Sequence, residues 1–302
     1  MRNTVLPRLI RGCFWLLPAL TCGGALGAAA APSPARPVAS PAAPSAEQIV
    51  AEQPAATSVE QIVAKNTAAR GGLDKWRNIA SMTVYEHTQS EMPGSGSVAM
   101  VIRMKRPSMR RVDTQAGDGF AAEVFDGRRG WKARVSRAHG TKVEPFTGAE
   151  TSRAAIHADL DSPLIDYAAK GNTVELEGSE PIEGRPAWRL KLTQQGQYIR
   201  HVWIDAQSFL EVKIEEFPRI VNNQIHPVNT YYSDYRSVDG LLMPFKIDTR
   251  VEGTGVAERT VVDRVGLNSQ IENGLFVKPG HGLARAGGLG QSAAGIPPQL
   301  LP

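Results

Sequence analysis

The stretch Val98-Ala99-Met100-Val101-Ile102-Arg103-Met104-Lys105 decides the fold. Val98, Met100, Ile102 and Met104 fall on one face of an extended chain, with Ser97, Ala99, Arg103 and Lys105 on the other. Successive side chains of a strand point to opposite sides, so this run is a strand with one greasy and one wet face. The same period recurs, run after run, from about Met82 to Val265. Turn formers separate the runs: Pro93-Gly94-Ser95-Gly96, Pro107 and the hairpin signal Asp126-Gly127. Roughly ten or eleven such strands make one large antiparallel sheet, in one domain of about 220 residues. Such a sheet must hide one whole face, and what covers it is the functional question.

Helical signals supply a candidate cover. Ser58 with Gln61 fits a capping box, Ile62, Val63 and Ala69 form a stripe, and Gly71-Gly72 ends the helix. A short piece from Leu73 to Ile79 carries Trp76 and Ile79 on one side. From Thr151 to Lys170, the spacing of Ala154, Ala155, Ile156, Leu160, Leu164, Ile165 and Ala168 predicts helix. Pro163 starts its second piece and Gly171 ends it.

The ends read differently. Arg2, Arg8 and Arg11 precede a short apolar stretch, Cys13 to Leu20, and small residues follow from Gly23 to Ala31. This predicts a secretory signal peptide over 1–28, too short to span a membrane. The expected product is periplasmic or secreted. Ala19-Leu20-Thr21-Cys22 fits a lipoprotein cleavage site poorly, so lipid anchoring through Cys22 is not expected. Both cysteines lie in this segment, which leaves a mature chain without thiols or disulfides. Residues 29–57 are rich in Ala, Pro and Ser and read as a disordered linker, and 280–302 as a disordered tail. Glu47-Gln48-Ile49-Val50-Ala51 recurs as Glu60-Gln61-Ile62-Val63-Ala64, a single local duplication. Removing the three arginines of the signal lowers the net charge from +4 to +1, which gives no reason to expect nucleic acid as a partner.

Little points to chemistry. Gly94-Ser95-Gly96 lacks the spacing of a nucleophile elbow and precedes a strand. The six histidines do not pair at metal-ligand spacing; His157 and Asp161, four apart, read as a surface contact. Asp159, Asp161 and Asp166 sit among turns and caps, where Asp bonds its own backbone. No catalytic residue, metal or cofactor is expected, and no enzyme. Arg103, Lys105, Arg106, Arg110 and Arg111 read as the wet face of the sheet, or as a rim for anionic lipid headgroups. Val98, Met100, Ile102, Met104, Trp131, Trp188, Leu190 and Trp203 are the candidate apolar wall of a ligand site, with an ordinary core as the competing account.

A set of motifs in order adds to this. Gly71-Gly72 and Lys75-Trp76-Arg77-Asn78-Ile79 open the domain, followed by Asp126-Gly127 with Gly130-Trp131, then Ser162-Pro163-Leu164-Ile165-Asp166-Tyr167 and Gly171. Leu176-Glu177-Gly178, Ile182-Glu183-Gly184-Arg185-Pro186-Ala187-Trp188 and Ile204-Asp205 come next. Ser233-Asp234-Tyr235-Arg236, Val238-Asp239-Gly240, Pro244-Phe245 and Leu275-Phe276 before Pro279 close the series. This order resembles the LolA/LolB-like outer-membrane lipoprotein-sorting family, in its broad bacterial branch, over 58–279. The resemblance implies a mainly β (α+β) fold, an incomplete antiparallel β-barrel of about 10–11 strands with a helical plug or lid. It implies a cavity on the concave apolar side that holds acyl chains, with Ser58 to Arg70 and Ala154 to Lys170 as lid. The expected partner is a lipid or lipidated protein. The alternative is a structural or sensory envelope module with a filled core that binds another protein. No position here matches the arginine that locks the lid of the family's carriers.

Overall fold

In the computed structural model the described residues are 57–90, 97–116, 119–136, 140–194 and 198–279. The segments read as signal peptide (1–28), linker (all but Thr57 of 29–57) and tail (280–302) lie outside them, as does the turn at 93–96.

The chain opens with α1 (Val59–Ala69) and α2 (Leu73–Arg77). Ser58 Oγ accepts from the Gln61 backbone N–H while the Gln61 side chain accepts from the Ser58 N–H, so two of the free donors at the helix start are satisfied. Gly71 and Gly72 adopt φ of 110° and 93°, which turns the chain sharply into α2. The first six strands follow: β1 (Ser81–Ser90), β2 (Val98–Lys105), β3 (Met109–Ala116), β4 (Gly119–Phe125), β5 (Gly130–Ser136) and β6 (Gly140–Pro145). After α3 (Gly148–His157) come β7 (Thr173–Ile182), β8 (Arg185–Gln194), β9 (Tyr198–Asp205), β10 (Glu211–Val221), β11 (Gln224–Val238), β12 (Leu241–Val251) and β13 (Val256–Leu267).

All thirteen strands form one antiparallel sheet in the order β6-β5-β4-β3-β2-β1-β13-β12-β11-β10-β9-β8-β7. Two meanders therefore meet at the β1–β13 pair, and β6 and β7 are left as opposite edges. The barrel is not closed. One segment, 146–172, must run from one edge to the other, and its helix and turns pack across the concave face. Bulges at Tyr85/Glu86, Glu211/Lys213 and Glu216/Arg219 bend the strands and help the sheet to curl.

Two expectations differ in detail. The strand count is thirteen, above the ten or eleven expected, and β6, with Val143 as its one large aliphatic residue, is a strand that the pattern missed. Its Lys142, Glu144 and Pro145 suit an edge strand that must not recruit another. The second half of the predicted helix 151–170 is a chain of turns. Leu160, Leu164 and Ile165 keep helical spacing, but Asp166 sits at φ 55°, which no continuous helix permits.

A Cβ at Gly71 would press on the Gly240 carbonyl and on Leu241, and the left-handed φ adds strain. Gly71→Ala is expected to destabilise the domain by about 1–3 kcal/mol in urea unfolding. An unchanged midpoint would show that the α1–α2 turn does not matter to stability.

Candidate functional site

The register assigns faces. Met82, Val84, Glu86 and Thr88 of β1 lie opposite Met104, Ile102, Met100 and Val98 of β2, so these eight share one side. On that side β13 supplies Leu267, Val265, Val262 and Thr260. Farther round the sheet, Trp188, Leu190 and Leu192 of β8 stand with Val202 and Ile204 of β9 and Ile214 of β10. This is the concave face.

Two apolar clusters bind its cover. Ile62 and Val63 of α1, with Leu164, pack on the β8–β10 residues, where Leu190, Leu192, Val202 and Ile204 are fully buried. Trp76 of α2, Ile79, Leu160 and Ile165 pack on Met82, Met243, Phe245 and Val262. Ion pairs then pin it. Arg70, the last residue of the α1 turn, donates from Nη1 to Glu211 Oε2 at 2.5 Å and from Nε to the Leu242 carbonyl at 2.7 Å. Ser162 Oγ donates to the other Glu211 oxygen, and Tyr235 Oη donates to the Glu211 carbonyl. Burial acts to raise the Glu211 carboxyl, but Arg70 and Ser162 outweigh it and hold the group below the usual carboxylate range. Arg106 donates to Asp161 at 2.6 Å and to the carbonyls of Ile79 and Trp76. Arg77 donates twice to Asp166, and Lys170 donates to Asp159.

Between the apolar clusters and α3 the concave side turns polar. His157, at the end of α3, is pressed down to about 3 by burial and then by Arg110 of β3, Arg200 of β9 and Arg153, so its imidazole is neutral. Phe217 stacks on Tyr198 at 4.2 Å, carries the Arg153 guanidinium at 5.0 Å and meets the His157 ring edge-on at 5.7 Å. Glu86 lies in the same region. Burial lifts its carboxyl to about 7, opposed by Arg110, with Glu258 and Asp263 adding to the rise.

No family model matches the chain, and no curated protein matches its sequence. Solved structures do match in fold. A DUF1329 family protein from Desulfovibrio piger aligns with a TM-score of 0.50 at 10% identity, covering 74% of this chain and 98% of the other. A LolA superfamily protein from Nitrosomonas europaea aligns with a TM-score of 0.49 at 14% identity, covering 74% and 99%. One unclosed antiparallel sheet with helices on its concave side is the architecture that the ordered motifs imply. The fold is similar to those of these two proteins.

Within this sheet the sequence candidates separate. Val98, Met100, Ile102 and Met104 share the concave face, where Met100 is buried and the other three keep accessible surface. Trp188 and Leu190 share that face but lie under α1 in a filled core. Trp131 and Trp203 are on the convex face. Trp131 packs in a second core closed by Ile271 and Phe276, and Trp203 packs with Ala187 and Val212 and donates to Glu180. The basic stretch is not one wet surface. Arg103 and Arg111 are buried on Asp113, Lys105 donates to the Ile271 carbonyl, Arg106 holds Asp161, and Arg110 faces inward. The Arg70–Glu211 pin carried no sequence signal beyond an arginine next to the double glycine.

Removing one partner of a buried ion pair leaves the other charge stranded, at a cost of about 3–5 kcal/mol. Arg70→Ala is expected to lose that much in chemical unfolding; a loss below 1 kcal/mol would refute the pin. For Glu86 the folded pKa is raised above its ordinary 4.5 to about 7. The native state therefore holds its proton longer, and stability falls as pH rises from about 4.5 through 7, by about 3 kcal/mol in total. Glu86→Gln is expected to match the native protein at pH 4.5 and to exceed its unfolding free energy at pH 8. Equal curves at both pH values would contradict this.

Proposed function

We propose that the protein is a periplasmic carrier that binds a lipid or lipidated protein on the concave face of its sheet, without catalysis. One observation carries this reading. Val98, Ile102 and Met104 keep accessible surface on this face, as do Val84, Val265 and Leu267 of the neighbouring strands. An acyl chain laid there would gain about 0.8 kcal/mol for each methylene buried, so affinity needs no specific polar contact. The cover over this face is held by a few polar pins beside two apolar clusters, so it has discrete points of release. No helix among the described residues is long and apolar enough to cross a membrane. Export through the signal peptide, which places the chain in the envelope, belongs to the same proposal.

A second reading, a module that binds an envelope protein, draws on a different observation. The β10–β11 hairpin presents Ile220 and Ile225 as a directly opposed pair, 59% and 73% exposed. Large apolar side chains paired in solvent often mark a contact surface.

Native mass spectrometry of the protein isolated from the periplasm without detergent is expected to show a bound lipid. Ile102→Asp is expected to abolish that species and to weaken displacement of N-phenyl-1-naphthylamine by dodecanoate at least tenfold. A lipid-free protein that takes up neither probe would sink the carrier reading and leave the hairpin as the functional surface.

A further inference from the structure

The concave face carries arginines of two kinds. Arg70 and Arg106 donate to carboxylates at 2.5–2.6 Å. Arg110, Arg153 and Arg200 do not. Among the described residues none of the three donates a hydrogen bond to a carboxylate, and the Arg200–Glu216 approach is 3.6 Å. Arg200 is 94% buried, since only 6% of it is exposed, yet its Nε has no partner; the buried Nε of Arg153 and Oε2 of Glu216 are likewise unsatisfied. A buried guanidinium N–H without an acceptor is costly, so such atoms ask for an acceptor that arrives from outside.

Three elements bring these cations to the concave side: by register Arg110 of β3 shares the face of Met104 and Arg200 of β9 the face of Val202, and Arg153 of α3 lies on Phe217, which stacks on Tyr198 of β9. Among the described residues Arg200 has one carboxylate in ion-pair reach, Glu216 at 3.6 Å, and Arg110 and Arg153 have none. Burial raises Glu216 and Glu258 as it does Glu86, and Arg219 stands beside the first two as a further cation. The position relative to the apolar wall is also fixed. Arg110 is the register partner of Met104, and Val112 and Thr114 on the same face of β3 partner Ile102 and Met100. A cation thus adjoins one end of the strip proposed for an acyl chain. The Tyr198–Phe217 stack beside Arg153 adds a rigid aromatic wall.

We infer that Arg110, Arg153 and Arg200 form an oxyanion site inside the sheet, taking the carboxylate or phosphate headgroup of an amphiphile whose chain lies along Met104, Ile102 and Val98. Guanidinium groups suit this task because their fixed fork of donors matches carboxylate and phosphate oxygens. The inference rests on the carrier reading for the chain and on the orphaned donors for the head.

The test compares three probes on the full exported chain. Dodecanoate and dodecanol, matched in chain length, displace N-phenyl-1-naphthylamine, and inorganic phosphate is titrated alone by calorimetry. Dodecanoate is expected to bind at least tenfold more tightly than dodecanol. In an Arg110→Gln/Arg153→Gln double variant that preference is expected to vanish while dodecanol affinity stays unchanged. Unchanged dodecanol binding also shows that the variant is folded. Equal binding of acid and alcohol by the native protein overturns the oxyanion site but leaves the carrier. A preference that survives in the double variant also overturns the site. Phosphate binding without either lipid supports the site and overturns the carrier, and no binding of any probe overturns both.

Discussion

The cover of this sheet depends on one buried ion pair. Arg70 and Glu211 come from residues 141 apart in sequence, and both are almost wholly buried. Taking two such charges out of water is expensive unless every remaining donor and acceptor is engaged. Here they are engaged by the chain itself. The Arg70 carbonyl accepts from Trp76 Nε1 and from the Leu242 N–H, and its guanidinium lies 5.2 Å from the Trp76 ring. Glu211 collects Ser162 from the crossing segment and Tyr235 from β11. One pair therefore ties α1, α2, the crossing segment and three strands, and it lies where the two apolar clusters meet. Without it the helices would have grease to sit on but no unique position.

The crossing segment follows from topology. A sheet ordered as two meanders leaves β6 and β7 at its far edges, and the connection between them must pass over one face. Leu160, Leu164 and Ile165 make that passage a cover, each buried against the concave side. The convex side is served separately by Ile271 and Phe276 over β4 and β5. The concave side then divides into apolar ends and a polar stretch with Glu86 and Arg200, where the buried Nε atoms of Arg153 and Arg200 lack an acceptor.

The local pattern made much of the fold legible. Period two over Val98–Lys105 is a property of neighbours, so β2 and its apolar face could be read directly. So could the Ser58–Gln61 cap and the Gly71-Gly72 stop, which depend on residues within one turn. The edge strand β6 was hidden because an edge carries few large apolar side chains. The 159–170 turns read as helix because Leu160, Leu164 and Ile165 happen to keep its spacing.

What the sequence by itself determined is therefore the sheet, the helix caps and the common face of Val98, Met100, Ile102 and Met104. The tertiary structure alone decided which of the two sides of each strand is concave. That choice depends on pairing register and on bulges, each of which can flip a side chain across the sheet. It sent Trp131 and Trp203 outward while Trp188 stayed inward. It also joined Arg70 to Glu211, and put Arg110 and Arg200 on the concave side where Arg153 meets Phe217. Charges brought together across such distances answer to the closure of the whole sheet, and no neighbour in the chain records it.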